Sequence, residues 1–162
     1  MALRLSSDEA LEIAQRMEQN GSRFYRRAAE FKELEKEKEV LLKLAKMEDD
    51  HEKYFRTMQD GLPDEERSKK ALDPFGEMLT YLEAMADMSG GEGSLQAIES
   101  LSGNESLPQI LNIAITLEKE SILYYIGLKD IVPSESAKRK IDEIISEEKN
   151  HIVTLKKELD SL

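Results

Sequence analysis

Cysteine is missing from the 162-residue sequence, which excludes disulfides, iron–sulfur clusters and thiolate metal sites. Proline and glycine are sparse, four and eight residues, in a chain 40% hydrophobic and 35% charged. That mixture suits long amphipathic helices better than sheets, and the length suits one domain. No apolar run reaches the roughly 18 residues a membrane span needs, and no charged-then-apolar leader opens the chain. Neither span nor signal peptide is therefore expected, and a cytoplasmic protein is the default. Basic charge is in the minority, 23 Lys and Arg against 34 Asp and Glu, for a net charge of −11. Nothing there offers a basic face to nucleic-acid phosphates, whereas an acidic surface attracts cations. Histidine is scarcest of the ionisable types present: there are two, His51 and His151.

Both histidines follow a glutamate by three residues, in Glu48-x-x-His51 and Glu148-x-x-His151. Residues three apart share one face of a helix, so each pair can turn a carboxylate and an imidazole toward the same ion. Ser6-Ser7-Asp8-Glu9 reads as the start of a first helix, with capping hydroxyls followed by acids. Leu11, Ala14, Glu18, Gly21, Tyr25 and Ala28 then recur at steps of three and four, the stripe of a bundle helix. Continued in phase, that stripe would meet Lys32, Glu35, Glu39, Lys46 and Asp49. The apolar positions instead adopt a new phase at Leu41, Leu44, Glu48, His51, Phe55 and Met58. A break near 32–37 is predicted, then an antiparallel second helix stopping at Asp60-Gly61-Leu62-Pro63.

Residues 62–106 read as a long connection with helical pieces. Asp73-Pro74 has the form of an N-cap and first helical position, and Phe75, Met78, Leu79, Leu82 and Met85 form an apolar stripe ending at Ser89-Gly90-Gly91. The methionines there read as gap-filling core, and a short helix is expected around 93–101. Ser106-Leu107-Pro108 opens a third long helix, with stripe Leu111, Ala114, Glu118, Ser121, Tyr125 and Leu128, expected to stop near Lys129–Ile131 before Val132-Pro133. Ser134-Glu135 opens a fourth, with Ile141, Ile144, Glu148, His151, Leu155 and Glu158. The 62–106 connection is long enough to cross the bundle, so the third helix is expected to run parallel to the second.

The stripes superpose at an offset of 100 residues: Glu18 on Glu118, Tyr25 on Tyr125, Glu48 on Glu148, His51 on His151, and Leu11, Ile13 and Ala14 on Leu111, Ile113 and Ala114. Pro133 falls on position 33, where the phase change places the first turn. A duplicated helical hairpin is the economical reading, and two copies pack as a four-helix bundle. The expected division is a hairpin at 7–60, a crossover at 62–106 and a second hairpin at 107–161, all one domain.

Each of the four glutamates lies about fifteen residues from its turn, so at about 1.5 Å per residue all four helices reach a common level about 20 Å along. Six ionisable groups at one depth repel one another unless cations join them. Two divalent ions would neutralise four carboxylates, with two imidazoles completing the set. Oxygen and imidazole donors without thiolate suit iron or manganese. The alternative is a buried Glu–His salt-bridge network. Glu120, Glu147, Asp49 and Asp50 lie off the stripes and read as solvated surface.

The ordered set Glu18-x6-Tyr25, Glu48-x-x-His51, Glu118-x6-Tyr125 and Glu148-x-x-His151 resembles the ferritin-like superfamily, in particular the rubrerythrin-like di-iron carboxylate proteins, across residues 7–60 and 106–160. The resemblance implies an all-α ferritin-like bundle binding two iron ions, with manganese as the substitute. It makes Glu48 and Glu148 bridging ligands, Glu18 and Glu118 terminal ligands, and His51 and His151 one ligand to each ion. Tyr25 and Tyr125 would hydrogen-bond to site carboxylates across the bundle. Two departures are visible: Ser121 stands where the family's third helix usually carries a further Glu, and the cysteine-rich rubredoxin-like domain that rubrerythrins often carry finds no cysteine in these 162 residues. The symmetric set is more similar to a bacterioferritin-type centre, and a storage shell, which in ferritins uses a further helix after the fourth, is not expected.

The leading expectation is a di-iron oxidoreductase reducing peroxide or dioxygen, served by a separate electron-donor protein. The alternative is a non-catalytic module that senses, buffers or transfers iron, and a third is an interaction scaffold with a vestigial site. No nucleic-acid or membrane partner is expected, and apolar residues on the crossover suggest a homodimer.

Overall fold

The computed structural model describes residues 6–67, 75–88, 98–132 and 134–162. The first helix, α1 (Ser7–Ala28), starts where the capping residues require. The Ser6 hydroxyl accepts from the Glu9 amide at 3.2 Å, and the Glu9 carboxylate accepts from the Ser6 amide at 2.7 Å. The predicted break takes the form of a 3₁₀ turn, Lys32–Leu34, before α2 (Lys38–Asp60). The two helices run antiparallel: Gln15 bonds Gln59, Gln19 bonds Glu52 and Arg26 pairs with Asp49.

Gly61 ends α2 without entering the left-handed region, at φ −81°. The open carbonyls are met another way. Arg67, in the one-turn helix α3 (Asp64–Arg67), donates to the carbonyls of Asp60 at 3.1 Å and Leu62 at 3.2 Å. The crossover continues with α4 (Glu77–Met88). Leu82 is buried, and Met78 and Met85 pack against the core. Phe75 breaks the predicted stripe and is 85% exposed. It precedes the helix, separated from it by Gly76 at φ 71°, so helical periodicity does not set its direction. The expected cap at Asp73-Pro74, the stop at Ser89-Gly90-Gly91, the Leu79 side chain, Pro133 and most of the short helix at 93–101 lie outside the described residues; positions 98–99 are helical.

The second hairpin comprises α5 (Leu107–Lys129) and α6 (Glu135–Asp160). Ser106 and Gln109 repeat the reciprocal cap of α1, and the Ser134 hydroxyl accepts from the Ala137 amide at 3.0 Å. Tyr124 donates to the Ala10 carbonyl at 2.9 Å and Tyr25 donates to Glu118, a descending register that sets α5 antiparallel to α1 and hence parallel to α2. The fold is a ferritin-like helical bundle, with no strand among the described residues.

Two apolar clusters fill it. One joins Ala10–Met17 of α1, Phe55, Tyr124–Leu128 and Ile141–Ile145. The other joins Phe24–Ala29, Leu41–Ala45, Ile110–Ala114 and Leu155. In all four helices the Glu and His positions fall between the two. The turns of the hairpins lie at opposite ends of the bundle, so the shared level is its middle. α4 covers α5 at Gly127, where an added Cβ would stand 2.5 Å from the Tyr81 ring and 3.0 Å from Leu82. The Tyr81 hydroxyl donates to the Leu123 carbonyl at 2.6 Å beside it.

Candidate metal centre

Helical spacing of three brings Glu48 and His51 onto the inner face of α2, and Glu148 and His151 onto that of α6. Glu18 and Glu118 face them from α1 and α5. None of the six is more than 4% exposed. His51 Nδ1 lies 3.0 Å from Glu148 Oε1 and 3.5 Å from Glu18 Oε2. His151 Nδ1 lies 2.9 Å from Glu148 Oε2, 3.0 Å from Glu48 Oε1 and 3.3 Å from Glu118 Oε1. The imidazole rings stack at 5.7 Å between centroids, 16° from parallel. Glu148 therefore stands between the two rings, one oxygen toward each.

The tyrosines exchange partners between the hairpins: Tyr25 of α1 donates to Glu118 Oε1, and Tyr125 of α5 donates to Glu18 Oε1. Glu18 keeps its other oxygen, Oε2, toward His51 at 3.5 Å, while Glu118 Oε1 also faces His151 Nδ1 at 3.3 Å. Burial, and then the charges of nearby glutamates, lift both phenols well above their ordinary range, so they remain hydrogen-bond donors. Gly21 is also explained. A Cβ there would sit 2.9 Å from Glu48 Oε2, so the missing side chain makes room for that carboxylate.

Burial dominates the electrostatics. It raises Glu18, Glu48 and Glu118, the last to about 8, with the charge of Glu148 adding in each case. Burial alone would also raise Glu148, but hydrogen bonds from His151 and His51 hold it below the ordinary carboxylate range. Burial would lower His51, and contacts with Glu148 and Glu18 overcome this and lift it to about 12. His151 is lifted in the same way by Glu118, Glu148 and Glu48. Without ions, protons perform the neutralisation: imidazolium rings and protonated carboxyls replace external cations.

That substitution is incomplete. Glu18 Oε2, Glu48 Oε1, Glu148 Oε2 and both His151 nitrogens are buried with no aligned hydrogen bond, and such groups are costly to leave unmet. Two groups can each hold a metal ion: Glu18, Glu48, His51 and Glu148, and Glu48, Glu118, Glu148 and His151. Within each group the ligand atoms lie inside 4.8 Å of one another. Glu48 and Glu148 belong to both. The oxygen and imidazole donor set fits a pair of divalent ions of the iron or manganese kind.

The rubrerythrin family model matches residues 9–159. The chain belongs to the rubrerythrin family. This rubrerythrin is also similar to a solved structure from Thermotoga maritima, described as a ferritin-like diiron-carboxylate protein. The two are 27% identical, cover 99% and 98% of their respective lengths, and superpose with a TM-score of 0.69. A search of curated proteins gave no match.

One residue of this rubrerythrin's centre escaped the sequence reading. Glu147, read as solvated surface, is 46% exposed by side chain, yet its Oε2 lies 2.6 Å from His51 Nε2. The stripe rule misses it because it points beside the inner face of α6 and meets a ring from α2. Its place next to Glu148 was a signal, but only packing shows which histidine it reaches. Asp49 and Asp50 are surface acids as expected, paired with Arg26 and Lys53.

Proposed function

We propose that this rubrerythrin binds two iron ions, with manganese as the substitute, and is an oxidoreductase that reduces peroxide or dioxygen. The observation that carries the proposal is the pair of overlapping four-residue groups sharing Glu48 and Glu148, with buried oxygen and nitrogen atoms left unpaired. In this reading Glu48 and Glu148 serve both ions, while Glu18 with His51 and Glu118 with His151 serve one each. The chemistry a ferrous pair supplies is two electrons, one per ion, which with two protons reduce peroxide to water. Tyr25 and Tyr125 fix the rotamers of Glu118 and Glu18, and the flanking apolar clusters exclude bulk water. No cysteine in this sequence can carry electrons, so the reading includes a separate donor protein. A cytoplasmic setting and a homodimer, using apolar crossover surface such as Phe75, complete it; fractionation and the mass in solution test those two points.

The decisive experiment is an anaerobic ferrous titration followed by peroxide or air. Two ions per chain, with an optical change on oxidation, are expected. Bound iron indifferent to both oxidants would refute the enzymatic reading. Repeated cycles with added reductant separate a catalyst from a module that stores or transfers iron: only the former keeps consuming oxidant.

A further inference from the structure

The duplication makes the two halves of the centre nearly equivalent, but the outer edges of the two imidazoles differ. His51 is engaged at both nitrogens: Nδ1 faces Glu148 and Glu18, while Nε2 lies 2.6 Å from Glu147 Oε2. His151 presents Nδ1 to Glu48, Glu118 and Glu148, but its buried Nε2 finds no hydrogen-bond partner among the described residues. The repeat counterpart of Glu147 is Met47, whose thioether carries no charge and accepts only weakly. A carboxylate at Nε2 holds the proton on that nitrogen and leaves the Nδ1 lone pair aimed inward. Such outer partners raise ligand basicity and fix ring orientation. A cavity of about 510 Å³ lies on this side, with Asp50, His51, Tyr54 and Glu147 in its lining.

We propose that Glu147 is a positioning residue for His51, and that it makes the two ion positions unequal. The position built from Glu18, Glu48, His51 and Glu148 fills first and more tightly than the one built on His151. This rests on the two-ion reading above and adds the order of filling to it.

Anaerobic titrations with Fe(II), and with Co(II) for its visible absorption bands, test the order on the whole chain. Wild type should take up two ions in two resolved steps. Glu147→Gln should weaken the first step about 10–100-fold, the usual loss when a ligand's outer partner is removed, leave the second in place and alter the Co(II) bands of the first. Glu147→Asp, keeping the charge, should recover part of the loss. Glu143→Gln removes an exposed charge paired with Lys140 on the same helix and should change neither step, separating orientation from net charge. Half-exposed Glu147 can be replaced without opening the core, and metal-free melting curves of each variant verify that. A wild-type chain that binds no ions overturns the two-ion reading and this inference with it. Two ions in wild type with an unchanged isotherm in Glu147→Gln, or equal weakening of both steps, overturns the inference alone.

Discussion

Gly21 shows how one residue can serve the centre at the expense of its own helix. A glycine inside a helix is destabilising by about 1 kcal/mol relative to alanine. Here the position is kept open because an added Cβ would meet the Glu48 carboxylate at 2.9 Å. Gly21→Ala should therefore separate two quantities that usually change together. The metal-free protein should melt at the same temperature or slightly higher, while affinity for Fe(II) falls about tenfold or more as Glu48 is displaced. Calorimetric titration alongside thermal melting measures both, and unchanged affinity would show that Glu48 has room to move. The tyrosines permit a complementary test. Tyr125→Phe removes the hydroxyl that holds Glu18, and should destabilise the metal-free protein by about 1–2 kcal/mol, the usual range for a lost bond to a charged group, read from denaturant midpoints.

Among the elements, α4 depends on a close approach to α5. It packs on α5 only because Gly127 leaves space for Tyr81 and Leu82, with ring carbons 2.5 Å from where a Cβ would stand. Gly127→Ala should force Tyr81 aside and break its bond to the Leu123 carbonyl. A loss of about 1–3 kcal/mol is expected from such overpacking, visible as a lower melting temperature and faster proteolysis at the crossover. The two hairpins should keep their helical signal, since their contacts lie elsewhere. The capping serines act locally: Ser106→Ala removes the acceptor for the Gln109 amide and should cost about 1 kcal/mol.

Across the whole molecule, the buried centre ties stability to pH in a direction that the ions reverse. Glu118 is raised from 4.5 to about 8, and Glu18 and Glu48 move the same way. Between those values the folded state keeps protons that the unfolded state has released, so raising the pH favours unfolding. His51 adds to this: its contribution is complete below about 6.5 and is lost as pH rises toward about 12. Glu148, held low, works the other way and withdraws its support only as pH falls below its ordinary 4.5. Metal-free protein should therefore lose about 5 °C or more in melting temperature between pH 5 and pH 8, at about 2–4 °C per kcal/mol for a chain this size. Saturating Fe(II) under anaerobic conditions should flatten or invert the trend, because ions replace protons on the same ligands. Adding a chelator at pH 8 should restore the metal-free curve. A metal-free protein more stable at pH 8 than at pH 5 would contradict the protonated state of the buried carboxyls.

Much of this was legible in the sequence because it depends on short-range regularity. Helical spacing puts Glu48 with His51 and Glu148 with His151 on one face; capping hydroxyls mark Ser6, Ser106 and Ser134; a phase change between Ala28 and Leu41 demands a turn without any glycine or proline to announce it. The 100-residue offset extends that regularity to the duplicated hairpin and to the six residues that gather at mid-bundle. The tertiary structure alone decided what crosses between helices. It gave Tyr25 to Glu118 and Tyr125 to Glu18, placed Glu148 between two imidazoles, turned Phe75 outward and set Glu147 against His51. Those outcomes depend on how helices distant in sequence rotate and approach one another, whereas periodicity records only the face each helix presents.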